Sequence, residues 1–359
     1  MPPETSSSTL AAPIPAAAMP LVSPNALLHA HLKRDRPLRP SNRSPSQARP
    51  IEVNIGSLTH CNGSSLVKVG ATTIVCGVRA EILPLSEIPS FRVTKTSSYT
   101  PTPATSGIRY PDEADDDKYL AIPLYHLLVP NIELATGCSP RHPANTAPGS
   151  EAQSLSQRLL SLLHTSKIVR PSDLEIRYQP PPAAEAVELG LDRDAQLKAY
   201  WVLYIDMMCI SYDGGVFDAA WMALYAALRD TMLPKVWWDA DSEQVLCSPE
   251  VSEARRLRIR GAPVSTSFGV FVPEKRVKKD GEAQHWILVD TDTFEQECCG
   301  ETGCITIDVD DAGSVDVLRI EKSRGSVFGV EEAERMTAIA TSRWKEWKRV
   351  LDDALKASR

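Results

Sequence analysis

The segment that most restricts the fold lies between Tyr200 and Asp230, YWVLYIDMMCISYDGGVFDAAWMALYAALRD. Its first half is apolar on both faces, a pattern that predicts a central β-strand buried on both sides. Gly214 and Gly215 then predict a tight turn, because glycine adopts positive φ angles at little cost. The helix that follows is apolar on nearly all sides and is therefore expected to be buried. A strand, an acid-Gly-Gly turn and a helix N-terminus form an arrangement that can bind phosphate.

Shorter patterns on either side predict a mixed set of strands and helices. IEVNIGSL alternates like a strand from Ile51, and the β-branched runs on both sides of Gly70 predict a β-hairpin. Leucines at helical spacing in SEAQSLSQRLLSLLHTS predict an amphipathic helix with Ser150 as its N-cap. The C-terminal segment VEEAERMTAIATSRWKEWKRVLDDALKAS predicts a second, longer one. The order of these elements favours an α+β (mixed α/β) domain of two similar halves.

Composition shifts predict the domain boundaries. Residues 1–27 are rich in Pro, Ala and Ser and are expected to form a disordered N-terminal extension. Residues 28–359 are expected to form one domain, with a short helix across the boundary at about 25–35 and an extended arm at 36–50. Polar and proline-rich stretches predict loop insertions at about 84–118, 139–150 and 178–197.

Charge and cysteine content limit the classes of function. The net charge of −7 argues against a free-standing nucleic-acid-binding protein, although local basic runs could contribute to an RNA path completed by partner chains. The eight cysteines are scattered, which is typical of a reducing compartment. CCGETGC at 298–304 lacks the paired spacing of a zinc site, so we interpret it as a loop and predict no metal and no cofactor. No apolar run is long enough to span a bilayer, so no membrane is expected as a partner.

Three stretches, in the same order along the chain, resemble one known family. They are IEVNIGSLTHCNGSSLVKVGATTIVCGVRAE, then LVPNIELATGCSPR followed by EAQSLSQRLLSLL, and then the strand–turn–helix segment followed by PVSTSFGVF and WILVDTDTFEQE. They resemble the RNase PH-type ring subunits of the eukaryotic RNA exosome, and the likeness runs from about Pro37 to the C-terminus. RPSNR at 39–43 resembles a degraded form of the R-P-D-G-R arm of such subunits.

The resemblance implies both a fold and an assembly. The fold would be that of RNase PH, with two similar β-α halves, related to the ribosomal protein domain 2-like superfamily. The partners would be other RNase PH-like subunits in a heterohexameric ring, RNA-binding cap subunits, RNA threading the channel and an associated nuclease. The implied work is 3′-to-5′ RNA processing and degradation, including rRNA maturation and mRNA turnover, in the nucleus and nucleolus and also in the cytoplasm.

Active members of this family hold inorganic phosphate beside the scissile 3′-phosphodiester. The resemblance implies that they place Thr, Arg and Thr after the glycine turn, where this chain has Val216, Phe217 and Asp218. Valine offers no side-chain donor and phenylalanine no charge, and an aspartate about 4 Å from phosphate would repel it by on the order of 1–4 kcal/mol. A downstream acid pair of active members is matched only loosely. The degenerate site would therefore consist of Asp213, Gly214, Gly215, Val216, Phe217, Asp218, Asp290 and Asp292.

Active members also use two arginines in the loop before the first long helix, where this chain has only Arg141. We therefore predict a non-catalytic structural subunit and no enzyme activity. The alternatives are an active phosphate-dependent 3′-exoribonuclease and a free-standing RNA-binding protein. Arginine and lysine are common both at phosphates and at subunit interfaces. Candidates for an RNA path or an interface are Lys68, Arg79, Arg141, Arg170 and Arg177.

Overall fold

The computed structural model describes residues 19–88, 119–143, 149–180, 195–273, 285–310, 312–325 and 329–357. In the described part of the chain, the first sheet is organised around β6 (Gln196–Ser211), the strand predicted to be central. β6 pairs antiparallel with β3 (Thr72–Pro84) and parallel with β4 (Leu128–Leu134). β1 (Ile51–Ile55) and β2 (Gly63–Val69) extend the order to β1-β2-β3-β6-β4, and β5 (Glu175–Tyr178) also pairs with β6.

The predicted hairpin joins β2 to β3 and is confirmed. Val69 lies opposite Thr72, and Gly70 between them has a φ of 59°, in the left-handed region that favours glycine. A Cβ at this glycine would also stand 2.4 Å from Cδ of Arg49, in the segment before β1. Both the turn geometry and the close approach therefore require glycine here.

The second sheet is antiparallel and is formed by the C-terminal half of the chain. Its order is β12-β11-β13-β14, with β11 at Val264–Phe271, β12 at Trp286–Val289, β13 at Glu301–Val309 and β14 at Val315–Ser323. Two short ribbons lie outside the sheets: β7 (Met232–Leu233) with β10 (Arg255–Arg256), and β8 (Val236–Asp239) with β9 (Gln244–Cys247).

Two long helices lie between the sheets. α6 (Val216–Asp230) packs against β2 and β3 of the first sheet and β11 of the second, and α8 (Val330–Ala357) packs against β1, β11 and β13. The other α-helices within the described ranges are α1 (Met19–Val22), α2 (Pro24–Leu32), α3 (Ala121–Leu124), α4 (Ser150–Ser166), α5 (Pro171–Leu174) and α7 (Thr293–Cys298). One hydrophobic core contains side chains from both sheets and from α4, α6 and α8.

α6 is buried on all sides, as its composition predicted. Its two largest side chains, Trp221 and Tyr225, are almost completely inaccessible and each satisfies its polar group. Trp221 Nε1 donates to the Pro263 carbonyl at 2.8 Å, and the Tyr225 hydroxyl donates to the Gly261 carbonyl at 2.6 Å. These bonds fix α6 against the chain that leads into β11.

The apolar stripes predicted for the other two helices are also buried: Leu155, Leu159, Leu162 and Leu163 on α4, and Met336, Ala340, Trp344, Trp347, Leu351 and Leu355 on α8.

Several sequence predictions are corrected by the structure. β6 is not buried on both faces throughout, since Met208 and Ile210 near its end are about half exposed. Residues 19–27, expected to be disordered, form α1 and the first part of α2, whereas residues 1–18 lie outside the described residues. The segment 298–304 is not a loop, because it contains the end of α7 and the start of β13. The N-cap of α4 is Gly149, and Ser150 is the first helical residue.

The predicted insertions begin and end close to described elements. β3 ends at Pro84, α4 starts at Ser150, and β5 and β6 end and start at Tyr178 and Gln196. Most of the insertion predicted at 84–118 and the middle of the other two lie outside the described residues. Within the described ranges, no helix is sufficiently long and apolar to cross a membrane.

We expect Gly63→Ala to destabilise the protein by about 1–3 kcal/mol through overpacking. A Cβ at Gly63 would lie 2.6 Å from the Ala227 carbonyl oxygen and 2.7 Å from Cα of Thr231, and these backbone atoms cannot move aside locally. Urea unfolding monitored by tryptophan fluorescence measures the change. Gly300→Ala is the matched control, because a Cβ there meets no atom within 4 Å. Equal unfolding midpoints for the two variants would contradict the close packing of α6 on β2.

Candidate functional site

A cleft of about 790 Å³ opens at the N-terminus of α6. The Gly-Gly turn after β6 forms its floor, α4 forms one wall, and β13 and β14 form the other. The charged and aromatic side chains that line it are Glu151, Arg158, Tyr212, Phe217, Phe268, Glu321 and Lys322. The candidate turn identified from the sequence therefore does border a cleft.

The two glycines of the turn are required by their surroundings. Gly214 and Gly215 have φ angles of 72° and 61°. A Cβ on Gly214 would lie 2.4 Å from the Thr291 carbonyl oxygen, and one on Gly215 would lie 2.6 Å from Nη2 of Arg49 and 2.9 Å from Oδ1 of Asp290. The turn is therefore fixed by contacts made beneath it.

Asp218 does not face the cleft. Its carboxylate is completely buried and accepts hydrogen bonds from the Ser265 hydroxyl at 2.7 Å, the Ser267 hydroxyl at 2.9 Å and the Ser267 amide at 2.6 Å. Burial raises the pKa of Asp218, against the opposing effects of the Arg343 charge and the Ser265 hydrogen bond. The expectation that Asp218 would meet and repel a phosphate is therefore wrong, because its side chain links α6 to β11.

Val216 and Phe217 do line the cleft, and a cation that sequence reasoning missed lies above them. The Arg158 guanidinium of α4 lies over the Phe217 ring, 4.0 Å from its centroid. Nε and Nη2 of Arg158 donate to Oε2 of Glu321 on β14, at 2.9 Å and 2.5 Å. The positive charge that lies over Phe217 is thus paired with a carboxylate of the same chain, which also pairs with Arg319.

The other charged groups of the cleft are paired in the same way. Lys322 Nζ lies 3.0 Å from Oε1 of Glu301. The Tyr212 hydroxyl donates to Glu151 at 2.8 Å, and burial together with this bond raises the pKa of Tyr212. An anion entering the cleft would therefore have to displace carboxylates from the cations already present.

Asp290, the first member of the candidate acid pair, is enclosed by arginines below the turn. Its carboxylate accepts from the backbone amide and Nε of Arg49 at 2.7 Å and 3.1 Å, and from Nη2 of Arg49 at 2.6 Å. Arg343 on α8 lies 3.5 Å away. Burial alone would raise the pKa of Asp290, but the Arg343 charge and the Arg49 hydrogen bonds hold the pKa well below its usual range. With no exposed surface, Asp290 is inaccessible to a substrate in this conformation.

Asp292, the second member, caps the following helix. Its Oδ1 accepts from the Glu295 amide at 2.8 Å, and Glu295 Oε2 accepts from the Asp292 amide at 3.2 Å, which together make a capping box at α7. Arg39 and Arg43, from RPSNR, both donate to the same Glu295 oxygen, at 3.1 Å and 3.3 Å. The arm resembling R-P-D-G-R therefore binds to the segment that carries the acid pair.

Asp213 keeps partial exposure at the edge of the turn. Its side chain is 40% exposed and lies 3.7 Å from Arg49, whose Nη1 also donates to the Asp213 carbonyl at 2.5 Å. Of the predicted residues, Gly215, Val216 and Phe217 line the cleft, and Asp213 and Gly214 lie beside it in the turn. Asp218, Asp290 and Asp292 are engaged in structural contacts.

The five predicted basic residues do not form one patch. Lys68 pairs with Glu52 at 3.6 Å on the open face of the first sheet. Arg79 lies on β3 and pairs with Glu81 at 3.1 Å. Arg177 pairs with Glu175 at 2.7 Å at the opposite end of β6. Arg170 precedes α5, and Arg141, near the cleft, pairs with Glu297 of α7.

Three arginines that organise the site were missed from the sequence. Arg343 gave a detectable signal, because it lies among Ala340, Trp344 and Trp347 on the buried stripe of α8, where an arginine requires an internal anion. Arg158 borders the leucine face of α4, but nothing in the sequence predicts its pairing with Glu321, which is 163 positions away. Arg49 was placed only in the extended arm.

Among the described residues, no group of three or more His, Cys, Asp or Glu side chains is arranged to hold a metal ion.

The comparisons with known proteins identify the class. The model of the 3′ exoribonuclease family, domain 1, named RNase PH, matches residues 47–234, more than half of the chain. The chain therefore belongs to the RNase PH family, and the family resemblance noted in the sequence is confirmed.

Relatives with curated descriptions place the chain near exosome components. It is 30% identical over 250 residues to exosome complex component rrp43 of Schizosaccharomyces pombe, covering 70% of this chain and 72% of that protein. It is 25% identical over 321 residues to exosome complex component Rrp42 of Pyrococcus furiosus, covering 89% of each.

Solved structures agree on the fold. A chain of the Archaeoglobus fulgidus exosome with RNA bound to the active site matches with a TM-score of 0.57 at 19% identity, covering 91% of this chain and 96% of that chain. A chain of an archaeal exosome core matches with a TM-score of 0.55 at 18% identity, covering 95% and 99%. The predicted RNase PH fold of mixed helices and sheets is confirmed.

We expect Asp290→Asn to lower the free energy of unfolding by about 3–5 kcal/mol at pH 7, because it leaves Arg49 and Arg343 buried without their counter-ion. The native pKa of Asp290 is depressed, so its contribution is complete above the unfolded pKa of about 3.9 and is lost as the pH falls below that value. The difference in the free energy of unfolding between wild type and variant should thus be smaller at pH 3 than at pH 7 by about 1 kcal/mol.

Urea unfolding at pH 7 and pH 3 measures both values. Asp353→Asn on the exposed face of α8 is the control, and should change stability by less than about 0.5 kcal/mol at either pH. A stability loss for Asp290→Asn that does not change with pH would contradict the depressed pKa.

Proposed function

We propose that this protein is a non-catalytic structural subunit of an exosome core ring. In this proposal it pairs with other RNase PH-like subunits, closes the ring and helps to thread RNA toward a nuclease bound elsewhere. The observation that carries the proposal is the Arg158–Glu321 ion pair stacked on Phe217 at the N-terminus of α6. The cleft contains a cation, but that cation already has an internal anion.

Phosphorolysis requires an inorganic phosphate held by backbone amides and at least one available cationic side chain. Val216 and Phe217 supply neither a hydroxyl nor a charge at the start of α6. The guanidinium of Arg158 would have to leave Glu321 before it could bind phosphate, and Glu321 would then stand beside the incoming anion. Both effects disfavour phosphate binding, which supports a subunit without phosphorolytic activity.

General acid–base catalysis requires a carboxyl group that can reach the substrate. The candidate acids are already engaged, Asp290 by Arg49 and Arg343 below the turn and Asp292 as the cap of α7. Asp213 is the remaining partly exposed acid of the degenerate site. A lone carboxylate without a bound phosphate leaves the reaction without a nucleophile, which again supports a structural role.

The assembly part of the proposal is supported by the relatives. Rrp43 of Schizosaccharomyces pombe and Rrp42 of Pyrococcus furiosus are named exosome complex components, and they align with 70% and 89% of this chain. We infer from them the partners, namely RNase PH-like neighbours, RNA-binding caps, RNA in the channel and an associated nuclease. The processes would be rRNA maturation and mRNA turnover, in the nucleus and nucleolus and in the cytoplasm.

The contribution of individual basic residues to an RNA path stays a prediction. Lys68, Arg79, Arg141 and Arg177 each form an ion pair with a neighbouring acid on the protein surface. Exposed pairs of this kind exchange partners at low free-energy cost. They could therefore turn to a phosphate backbone or to a neighbouring subunit once the ring is formed.

We expect the purified chain to release no nucleoside diphosphates from a single-stranded RNA oligomer in the presence of inorganic phosphate and Mg²⁺. The physical reason is that, among the residues the structure describes, the cleft cation Arg158 is paired with Glu321, and Val216 and Phe217 at the start of α6 carry no hydroxyl. Thin-layer or ion-exchange chromatography of the products measures the reaction, with an active phosphorolytic member of the family as the positive control.

Release that depends on phosphate and is abolished by Asp213→Asn would contradict the non-catalytic assignment. Asp213 is partly exposed in the turn beside the cleft, so this variant tests the degenerate site without removing a buried charge. Asp290→Ala is unsuitable for the purpose, because loss of the buried ion pairs would lower stability as well.

We expect material purified from its source under native conditions to behave as part of a large complex. Native mass spectrometry should detect other RNase PH-like chains bound to it, and addition of its neighbouring subunit should raise the melting temperature of the recombinant chain. A monomer that binds RNA and no RNase PH-like protein would favour the free-standing alternative instead.

A further inference from the structure

The ribbon of β8 and β9 presents an apolar pair that the rest of the described structure leaves uncovered. Trp237 is paired with Leu246 in the register, so both side chains lie on the same face. Trp237 is 45% exposed and Leu246 is 38% exposed. A large aromatic side chain on an exposed ribbon is unusual for a solvent-facing surface and typical of a contact surface.

The opposite face of the ribbon is firmly attached to the protein. Val236 and Val245 pack against the main hydrophobic core. Trp238, on this same face, lies beneath the Lys198 ammonium group at 4.7 Å from the ring centroid. The exposure of Trp237 is therefore a property of a well-anchored ribbon and does not arise from a detached hairpin.

Acidic residues predominate on the ribbon and in the segment after it, and the exposed arginines begin only at Arg255. Residues 236–253 contain five acids and no lysine or arginine: Asp239, Asp241, Glu243, Glu250 and Glu253. A hydrogen bond from the Ser242 hydroxyl lowers the pKa of Asp239. Lys235, just before β8, is already paired with Glu253 at 2.9 Å. The surface thus combines an apolar centre with an acidic border.

The apolar centre and the acidic border together limit the kind of molecule that can bind to this surface. A nucleic acid strand would find an aromatic side chain for stacking, but the acids would repel its phosphates. An anionic membrane surface would be repelled for the same reason. A polypeptide with an apolar side chain between lysines or arginines fits this surface. Its apolar side chain would pack on Trp237 and Leu246, and its positive charges would face the surrounding acids, as is usual in protein interfaces.

We propose that the surface formed by Trp237, Leu246 and the surrounding acids of residues 239–253 is a docking site for a basic, apolar polypeptide segment of a partner protein. It lies beside the N-terminal end of β6, where Lys198 is, whereas the cleft lies at the C-terminal end of the strand, roughly 40 Å away along β6. The proposal goes beyond ring membership and does not depend on whether the cleft is catalytic.

A photocrosslinking experiment on the native complex tests this site. p-Benzoylphenylalanine is incorporated in place of Trp237 in the full chain expressed in its source cells, the complex is purified and irradiated, and the crosslinked peptide is sequenced by mass spectrometry. The matched control carries the same crosslinker at Leu124 of α3, which is 61% exposed and belongs to a different surface. The expected result is a crosslink at position 237 to a protein segment that contains several lysines or arginines, and no such crosslink from position 124.

A charge variant distinguishes docking from chance proximity. In Asp241→Asn/Glu243→Gln/Glu250→Gln, three exposed acids are neutralised, and the crosslink from position 237 should fall at least about fivefold. An unchanged melting temperature shows that the ribbon stays folded. A ribonuclease-sensitive crosslink to RNA, a protein crosslink that the charge variant does not reduce, or no crosslink above the Leu124 control would each overturn the proposal.

Discussion

The ion pairs around Asp290 connect parts of the chain that are distant in sequence. Arg49 comes from the arm before β1, Arg343 from α8, and Asp290 is the residue directly after β12. The guanidinium of Arg49 also donates to the backbone carbonyls of Asp213 and Gly214, so the turn at the start of α6 is held by the same cluster. Removing one member of such a buried pair costs far more than the pair contributes over an apolar substitute. The position of the Gly-Gly turn, and with it the shape of the cleft, therefore depends on charges that no substrate touches.

The cleft above this cluster is neutralised from within. Arg158 is paired with Glu321, Lys322 with Glu301, and Glu151 accepts from Tyr212. Phe217 supports the guanidinium of Arg158 from below, since a flat cation over an aromatic face is favourable. A member of the RNase PH family can keep the cavity of the fold while its side chains satisfy one another, and the cavity alone is therefore no measure of activity.

The sequence predicted those features that depend on local patterning. The central strand, the hairpin at Gly70 and the buried α6 follow from periodicity and glycine positions, and all three are found. What the sequence did not predict depends on pairings between distant residues. Arg158 and Glu321 meet only because β14 lies beside α4. Asp218 turns inward because the hydroxyls of two serines of β11 donate hydrogen bonds to its carboxylate. The outward exposure of Met208 was missed for a related reason, because an apolar side chain on a central strand does not reveal whether a second layer covers it.

The close approach of Gly215 to Arg49 and Asp290 bears on how members of this family can be sorted by activity. A Cβ at that glycine would strike the buried cluster whether or not a phosphate ever binds above it. The packing of the fold is thus sufficient to require the Gly-Gly pair, and the pair alone does not show that a chain binds phosphate. The two residues that follow the glycines and the carboxylate paired with the arginine of α4 line the cleft above this cluster, so the chemistry of the cleft depends on them and not on the glycines.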